Sequence, residues 1–223
     1  FRCDPAGGGA PEDLGACSVS GGEAYSMANL DGQLYIASYP GARLAVYDPT
    51  RPYRFGVDPA ANPRDLGRLD EVAYRPLAMV AGPAGKVWAA SIPDYGMWGG
   101  TLAWYDPQRG TFGSHRHVVR DCSGYALAYL ASEGLLAVGY AIEGGTGTTP
   151  RAERAALVLW DPVQDREVWQ GDLGLSIHTV FDLMDAGDGC AYAVILQNGA
   201  DQRPALCLLD LRAKRVRARC VLE

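Results

Sequence analysis

Four-stranded antiparallel β-sheets, recurring at a period of roughly 50 residues, are the architecture that this 223-residue sequence predicts. Three observations carry the prediction. An Asp-Pro step closes a strand in successive copies, at Asp4-Pro5, Asp48-Pro49, Asp106-Pro107 and Asp161-Pro162, and the last copy has Asp210-Leu211. Asp at the first turn position accepts backbone N–H bonds, and Pro beside it pre-sets φ for a type I turn. A second turn anchor lies upstream of each, at Asp31-Gly32, Ala84-Gly85, Glu133-Gly134 and Asp188-Gly189, with glycine spacings of 53, 49 and 55 residues. Each precedes a β-rich run, as a hairpin turn does. Third, the distance from turn Gly to turn Asp varies, at 16, 21, 27 and 21 residues, and the extra residues must fall in the loop between the second and third strands. Insertions in repeat folds collect on one face, often the binding face. The fold expected is all-β: a β-propeller of four-stranded blades, about four and a half of them present, as the open arc of a larger propeller.

The elements follow in order. Residues 1–18 read as the last two strands of an incomplete blade. Residues 19–70 form blade one (Ala24–Leu30, Gln33–Ser38, Arg43–Tyr47, Arg64–Leu69) and 71–118 blade two (Leu77–Ala81, Lys86–Ile92, Thr101–Tyr105, Thr111–Val118). Residues 119–172 form blade three (Ala126–Ala131, Leu135–Ala141, Ala155–Trp160, Arg166–Gly171) and 173–223 blade four (Val180–Asp185, Cys190–Gln197, Pro204–Asp210, Arg215–Leu222). The unbroken apolar run Leu34-Tyr35-Ile36-Ala37 suits a strand covered on both faces by neighbouring blades. The insertion from Glu143 to Arg154, rich in Gly and Thr, is expected to be the most mobile segment.

Composition narrows the function classes. The net charge of −6 argues against nucleic acid, which wants clustered Lys and Arg. The one basic stretch, Arg212 to Arg219, alternates as a solvated outer strand does. No run approaches the length of about 20 apolar residues that a membrane helix needs. The chain opens at Phe1, in what reads as mid-blade with neither an initiator Met nor a leader, and is expected to be a mature product or part of something longer. Six cysteines without C-x-x-C spacing exclude a zinc ribbon or thioredoxin-type site. Their even number fits an oxidising compartment. Cys207 and Cys220 are expected to face each other across the last hairpin, and Cys3 and Cys17 to flank the first one similarly.

With the blades placed, the chain resembles the broad quinoprotein-like, YVTN and WD-repeat-like group of propellers. The resemblance rests on Leu157-Val158-Leu159-Trp160-Asp161-Pro162 followed by Val168-Trp169, although Gln164-Asp165 stands where that turn usually has Gly. The segments Tyr74-Arg75-Pro76, Ile92-Pro93-Asp94-Tyr95-Gly96 and Gly144 to Glu153 are similar to bacterial propellers joined to extracellular carbohydrate-active or cell-surface modules. The resemblance implies the fold and an extracytoplasmic or secreted setting. It implies little about activity, since propellers host many chemistries.

Alignment on the turn glycines puts Gly21, Tyr74, Ser123 and His178 in one column and Gly22, Arg75, Gly124 and Thr179 in the next, at the mouth of the central channel. Tyr74, Arg75, Asp94, Tyr95, Trp98 and His178 then share one rim as ligand-binding candidates. Aromatic rings stack on a sugar, and Arg neutralises a carboxylate bidentately. The structural alternative is that Tyr95 and Trp98 cap a blade and Arg75 pairs with an acid. His115 and His117, at i and i+2 on one strand, would make a metal site with Asp121, but an outermost strand is polar in any case and no metal is assigned. Gly99-Gly100 and Gly144-Gly145-Thr146-Gly147 are not followed by a helix start or by Gly-Lys-Ser/Thr, which excludes a P-loop. Ser176 lacks the Gly-x-Ser-x-Gly elbow of a catalytic serine. Asp182 either faces the channel as a ligand or bonds neighbouring backbone.

The function expected is a non-catalytic module that binds a carbohydrate or protein ligand on its loop-rich face, without a cofactor. The alternative is a polysaccharide-active enzyme of lyase type acting on acidic sugars, with Arg75 neutralising a uronate and His178 or Tyr95 as base. The arc exposes apolar faces at its ends, so the remaining blades of a longer parent or self-association should cover them.

Overall fold

The computed structural model describes residues 1–4, 6–56, 58–199 and 203–222. Pro5, half of the first Asp-Pro step, and Glu223 lie outside the described residues. Among the described residues sixteen strands follow in chain order. β1 (Ala24–Leu30), β2 (Gln33–Ser38), β3 (Arg43–Tyr47) and β4 (Arg64–Arg68) make one antiparallel sheet. A second contains β5 (Ala73–Ala81), β6 (Val87–Pro93), β7 (Thr101–Asp106) and β8 (Thr111–Arg116). The third runs β9 (Ser123–Leu130), β10 (Leu135–Ala141), β11 (Leu157–Asp161) and β12 (Arg166–Gly171); the fourth runs β13 (Ile177–Gly187), β14 (Cys190–Gln197), β15 (Pro204–Asp210) and β16 (Arg215–Val221). Each sheet is a meander of the kind that forms a propeller blade. The third and fourth are joined by one extra rung, Ala141 opposite Thr179.

The turn chemistry is as the sequence requires. Asp48, Asp106, Asp161 and Asp210 each accept a backbone N–H two or three residues on, at 2.9 Å in every case. Asp31-Gly32, Ala84-Gly85 and Asp188-Gly189 have positive φ at both residues, the conformation that matches hairpin twist. The inner strands start earlier than the apolar pattern suggests: β5 at Ala73, β9 at Ser123 and β13 at Ile177. Register shifts within these strands break the period-2 alternation by which a strand is read. The described residues of the stretch 1–18 do not form the two strands expected there. Arg2 and Glu12 make one isolated bridge, beside which this chain end packs on blade one.

Two buried clusters hold the arc together. Tyr35, Ala37 and Leu44 of blade one pack with Ala73, Val87 and Tyr105 of blade two. A larger cluster runs through blades two, three and four, from Trp88 and Leu102 by way of Leu136 and Val138 to Val180 and Ile195. Polar latches cross each junction. Asp70, just past β4, accepts from Ser114 at 2.5 Å and from Arg116 at 3.1 Å. His115 meets Asp165 at 2.9 Å, and Arg212 pairs with Glu133. The sheets do not close into a ring, as expected of an arc.

The Cys207–Cys220 expectation fails. Cys207 is opposite Arg219, and Cys220 is opposite Leu206, so the two sulfurs leave opposite faces of the hairpin. Strand residues separated by an odd number of rungs cannot share a face. All six cysteines are free thiols, Cys3 and Cys17 included.

Candidate functional site

The site lies where the second-to-third strand loops of blades two and three meet the starts of the inner strands. Loop 94–100 and loop 142–156 are zipped together by backbone bonds, Gly96 N–H to Thr146 C=O at 3.0 Å and Gly145 N–H to Met97 C=O at 2.8 Å. A side chain on Gly145 would place its Cβ 1.9 Å from the Asp94 carbonyl oxygen, so this close approach requires glycine. The long insertion expected to lack anchors is therefore tied by polar ones, a kind that a count of apolar residues misses.

Against this wall stands a row of tyrosines from two blades. Tyr25 contacts Tyr39, Tyr39 meets Tyr74 edge-on, and Tyr74 meets Tyr95 edge-on, with centroid separations of 5.7, 5.2 and 5.2 Å. The Arg75 guanidinium sits 5.1 Å from the Tyr39 ring centre, 5.7 Å from Tyr74 and 5.4 Å from Tyr95. Its Nη1 donates to Thr146 Oγ1 at 3.0 Å and its Nη2 to Tyr95 Oη at 3.3 Å. Among the described residues no carboxylate lies within ion-pair distance of Arg75. Desolvation works against its charge, but the oxygens of Tyr95 and Tyr25 more than offset this and its pKa is raised. The contact with the Tyr95 hydroxyl, together with burial, pushes the Tyr39 phenol up to about 12. Arg75, Tyr125, Glu143 and Thr146 line a cavity of about 330 Å³.

The predicted site residues therefore divide. Tyr74, Arg75 and Tyr95 converge. His178 does not touch Arg75: its Nδ1 lies 2.9 Å from Thr179 Oγ1 and 3.3 Å from the Glu143 carboxylate. Glu143 lines the Arg75 cavity and His178 does not, so the two groups share a neighbour. Asp94 serves the loop, its Oδ1 accepting the Tyr95 N–H at 2.7 Å. Trp98 belongs to a different depression, with His117 and Asp121, where Arg151 stacks on it at 3.4 Å and its Nε1 donates to the Thr149 carbonyl. It is carried there because Gly96, at positive φ, turns the loop between Tyr95 and Trp98.

The histidine pair separates as well. β8 ends at Arg116, and His117 has φ 55°, so the strand geometry that would aim both imidazoles one way does not extend to it. His115 turns to Asp165 and the Trp160 ring, while His117 lies 3.7 Å from Asp121. Asp182 bonds the Leu183 N–H at 2.9 Å, in accord with the backbone alternative.

Tyr25, Tyr39, Tyr125, Glu143 and Thr146 are the site residues that column alignment of inner strands misses. Tyr39 had a signal of its own. Seven residues after the turn glycine, the other copies have Ile92, Ala141 and Leu196, so a phenol stands out among apolar residues.

No protein-family model matches this sequence, and no curated protein matches it. Solved structures do. Hydrazine synthase from Kuenenia stuttgartiensis superposes on 100% of the chain with a TM-score of 0.62 at 13% identity. The WD40 β-propeller domain of Doa1 superposes on 87% with a TM-score of 0.56 at 13% identity. The apo form of AztD from Citrobacter koseri covers 90% with a TM-score of 0.51 at 10% identity. The chain spans about half of each of these, 53%, 53% and 47% of their lengths. At such identities the likeness concerns fold alone, and with the open meander sheets described above it makes this chain a β-propeller module.

Proposed function

We propose that the module is a non-catalytic binding propeller whose loop-rich face takes an acidic carbohydrate at the tyrosine-lined Arg75 site, in an extracytoplasmic setting. One observation carries the reading: a cation with no carboxylate partner among the described residues, held among aromatic rings at the edge of an open cavity. Tyr95 Oη and Thr146 Oγ1 accept from Arg75, and with Tyr39 donating to Tyr95 across 3.4 Å both hydroxyls keep a proton to give. Those two hydroxyls and the remaining guanidinium N–H groups form a donor set for a carboxylate, and the ring faces offer apolar surface to a sugar. A glycan array containing uronic-acid oligosaccharides, followed by calorimetry, tests this. Arg75→Ala should weaken binding at least about tenfold, and Arg75→Lys should restore only part of it, since lysine keeps the charge but loses the planar fork. Acidic-sugar binding that is indifferent to both Arg75→Ala and Tyr95→Phe would refute the site.

The lyase alternative is favoured by one feature. Glu143 and Thr179 hold His178 by Nδ1, the arrangement that orients an imidazole base. Against it, His178 is outside the Arg75 cavity. Ultraviolet absorbance from an unsaturated uronate product, abolished by His178→Ala, would decide for the enzyme.

A further inference from the structure

The wall made by the two zipped loops has a second side. Tyr95 stands on the Arg75 side of it. Trp98 stands in the depression on the other, a cavity of about 380 Å³ that Met97, Arg116, His117 and Arg151 also line. Three residues of chain hold the Cα atoms of Tyr95 and Trp98 to no more than about 11 Å apart. The insertion straddles the same wall, since Pro150 lines the Arg75 cavity and Arg151 the other. The Arg75 cavity borders the inner strands β5 and β9, and the second cavity borders the end of the outermost strand β8. The pair therefore runs from the inner edge of the arc towards its outer edge, on the face that carries the second-to-third strand loops.

The second cavity repeats the chemistry of the first. The Arg151 guanidinium lies 3.4 Å from the ring centre of Trp98. The indole is fixed in turn: its Nε1 donates to the Thr149 carbonyl at 2.9 Å, and a Cβ on Gly144 would come within 3.1 Å of its Cδ1. The other charges of this cavity are engaged. Arg116 pairs with Asp70 at 3.1 Å and Glu71 at 3.6 Å, and Asp121 lies 3.7 Å from His117 and 3.8 Å from Arg120. Among the described residues no carboxylate lies within ion-pair distance of Arg151, so its charge is the one left over. A guanidinium held on an aromatic face keeps its N–H groups for a carboxylate. We propose that this depression is a second carboxylate subsite, and that the ligand is an acidic oligosaccharide whose uronate units engage Arg75 and Arg151 across the crest between them. The inference rests on the Arg75 reading above and adds that the ligand is a chain, because a single uronate has one carboxylate for two cations. Tyr95 and Met97, 49% and 44% exposed on the crest, offer apolar surface beneath the sugar that bridges the two. Once one unit is held, the second contact forms within the same complex, which favours repeated charge over a monomer.

Calorimetry with galacturonate oligomers, from the monomer to the hexamer, tests this. Affinity should rise about tenfold or more once the oligomer is long enough to reach both cations. The fully methyl-esterified oligomer, which has the same skeleton without the charge, should show no such step. Arg151→Ala should lower the ratio of oligomer to monomer affinity about tenfold, whereas Arg75→Ala should weaken binding at every length. Arg151→Gln keeps a stem and a planar amide over the indole, so it controls for collapse of the loop, and it should lose the step as well. Affinity that is flat with length, or a step that survives both Arg151 substitutions or methyl esterification, overturns the inference and leaves the Arg75 site standing. Oligomer binding that needs Arg151 but is indifferent to Arg75→Ala refutes the Arg75 reading and the two-point chain with it, and so does an absence of binding at every length.

Discussion

Gly139 is the tightest point of the junction between blades three and four. A Cβ built there falls 2.5 Å from Val180 Cγ1, 2.6 Å from Val180 Cβ and 3.1 Å from Ala126 Cβ. Carbon atoms at optimal separation stand about 3.5–4.0 Å apart, so roughly 1 Å must be recovered by moving one blade against the other. Val180 is fully buried on an inner strand. Gly139→Ala should therefore cost about 2–3 kcal/mol, the upper part of the range for overpacking a core. Val180→Ala alone removes two methyl groups and should cost about 2 kcal/mol. In the double variant the new methyl occupies the space the valine leaves, so the two losses should not add, and a favourable coupling of about 1–2 kcal/mol is expected. Urea unfolding of the four proteins measures it. Gly139→Ala within about 0.5 kcal/mol of the parent, or strict additivity in the double variant, would refute the packing argument. The same strain should move His178 on β13 away from Glu143, which follows β10.

Ala84 holds a left-handed backbone, φ 54° and ψ 27°, so Ala84→Gly should raise stability by about 0.5 kcal/mol once the entropy of glycine is deducted, and a lower melting temperature would contradict this. Thiol reagents should label exposed Cys3 and Cys220 rapidly and leave Cys122, Cys190 and Cys207 unreacted until unfolding; burial pushes the Cys122 thiol up to about 12, which suppresses its thiolate. Burial of the Asp70 carboxyl raises its pKa, but hydrogen bonds from Ser114, the Val72 N–H and Arg116 outweigh that and leave it below the ordinary value. Its stabilisation is therefore complete above about pH 4 and is lost as pH falls through the depressed folded value. Asp70→Asn should cost about 1–2 kcal/mol at neutral pH, a figure kept small because Arg116 is half-exposed and screened, and the gap to the parent should close in acid; a gap that persists there would rule the linkage out.

The fold was legible because its punctuation is local. An aspartate that accepts an N–H two residues on, or a glycine at positive φ, acts within one turn, so Asp106 and Gly85 mean the same thing in sequence as in space. Strand starts were less legible, since bulges at Tyr74 and His178 shift the alternation without changing residue type. The site was legible only in its inner-strand half. Tyr74 and Arg75 follow from the repeat register. Thr146 and Glu143 reach the site through an insertion whose path is set by its pairing with another loop, 48–50 residues away in sequence, and no periodicity encodes that. Trp98 was misplaced for the same reason: three residues of glycine-bearing loop are enough to carry a side chain to another surface.

The Arg75 site draws on three repeats at once. Tyr39 follows β2 of blade one, Tyr74, Arg75 and Tyr95 come from blade two, and Thr146 belongs to the insertion of blade three. A blade copied elsewhere in an array would carry the sheet but only one of these contributions, so tandem duplication could lengthen the arc without multiplying the site. Each contribution is also free to change without disturbing a sheet, because the three sit at strand ends and in loops. Specificity can then drift while the scaffold stays constant. Occupancy, in turn, would report that three neighbouring repeats are correctly stacked, since a ligand held by all of them stabilises their mutual arrangement in proportion to the logarithm of its concentration over its dissociation constant.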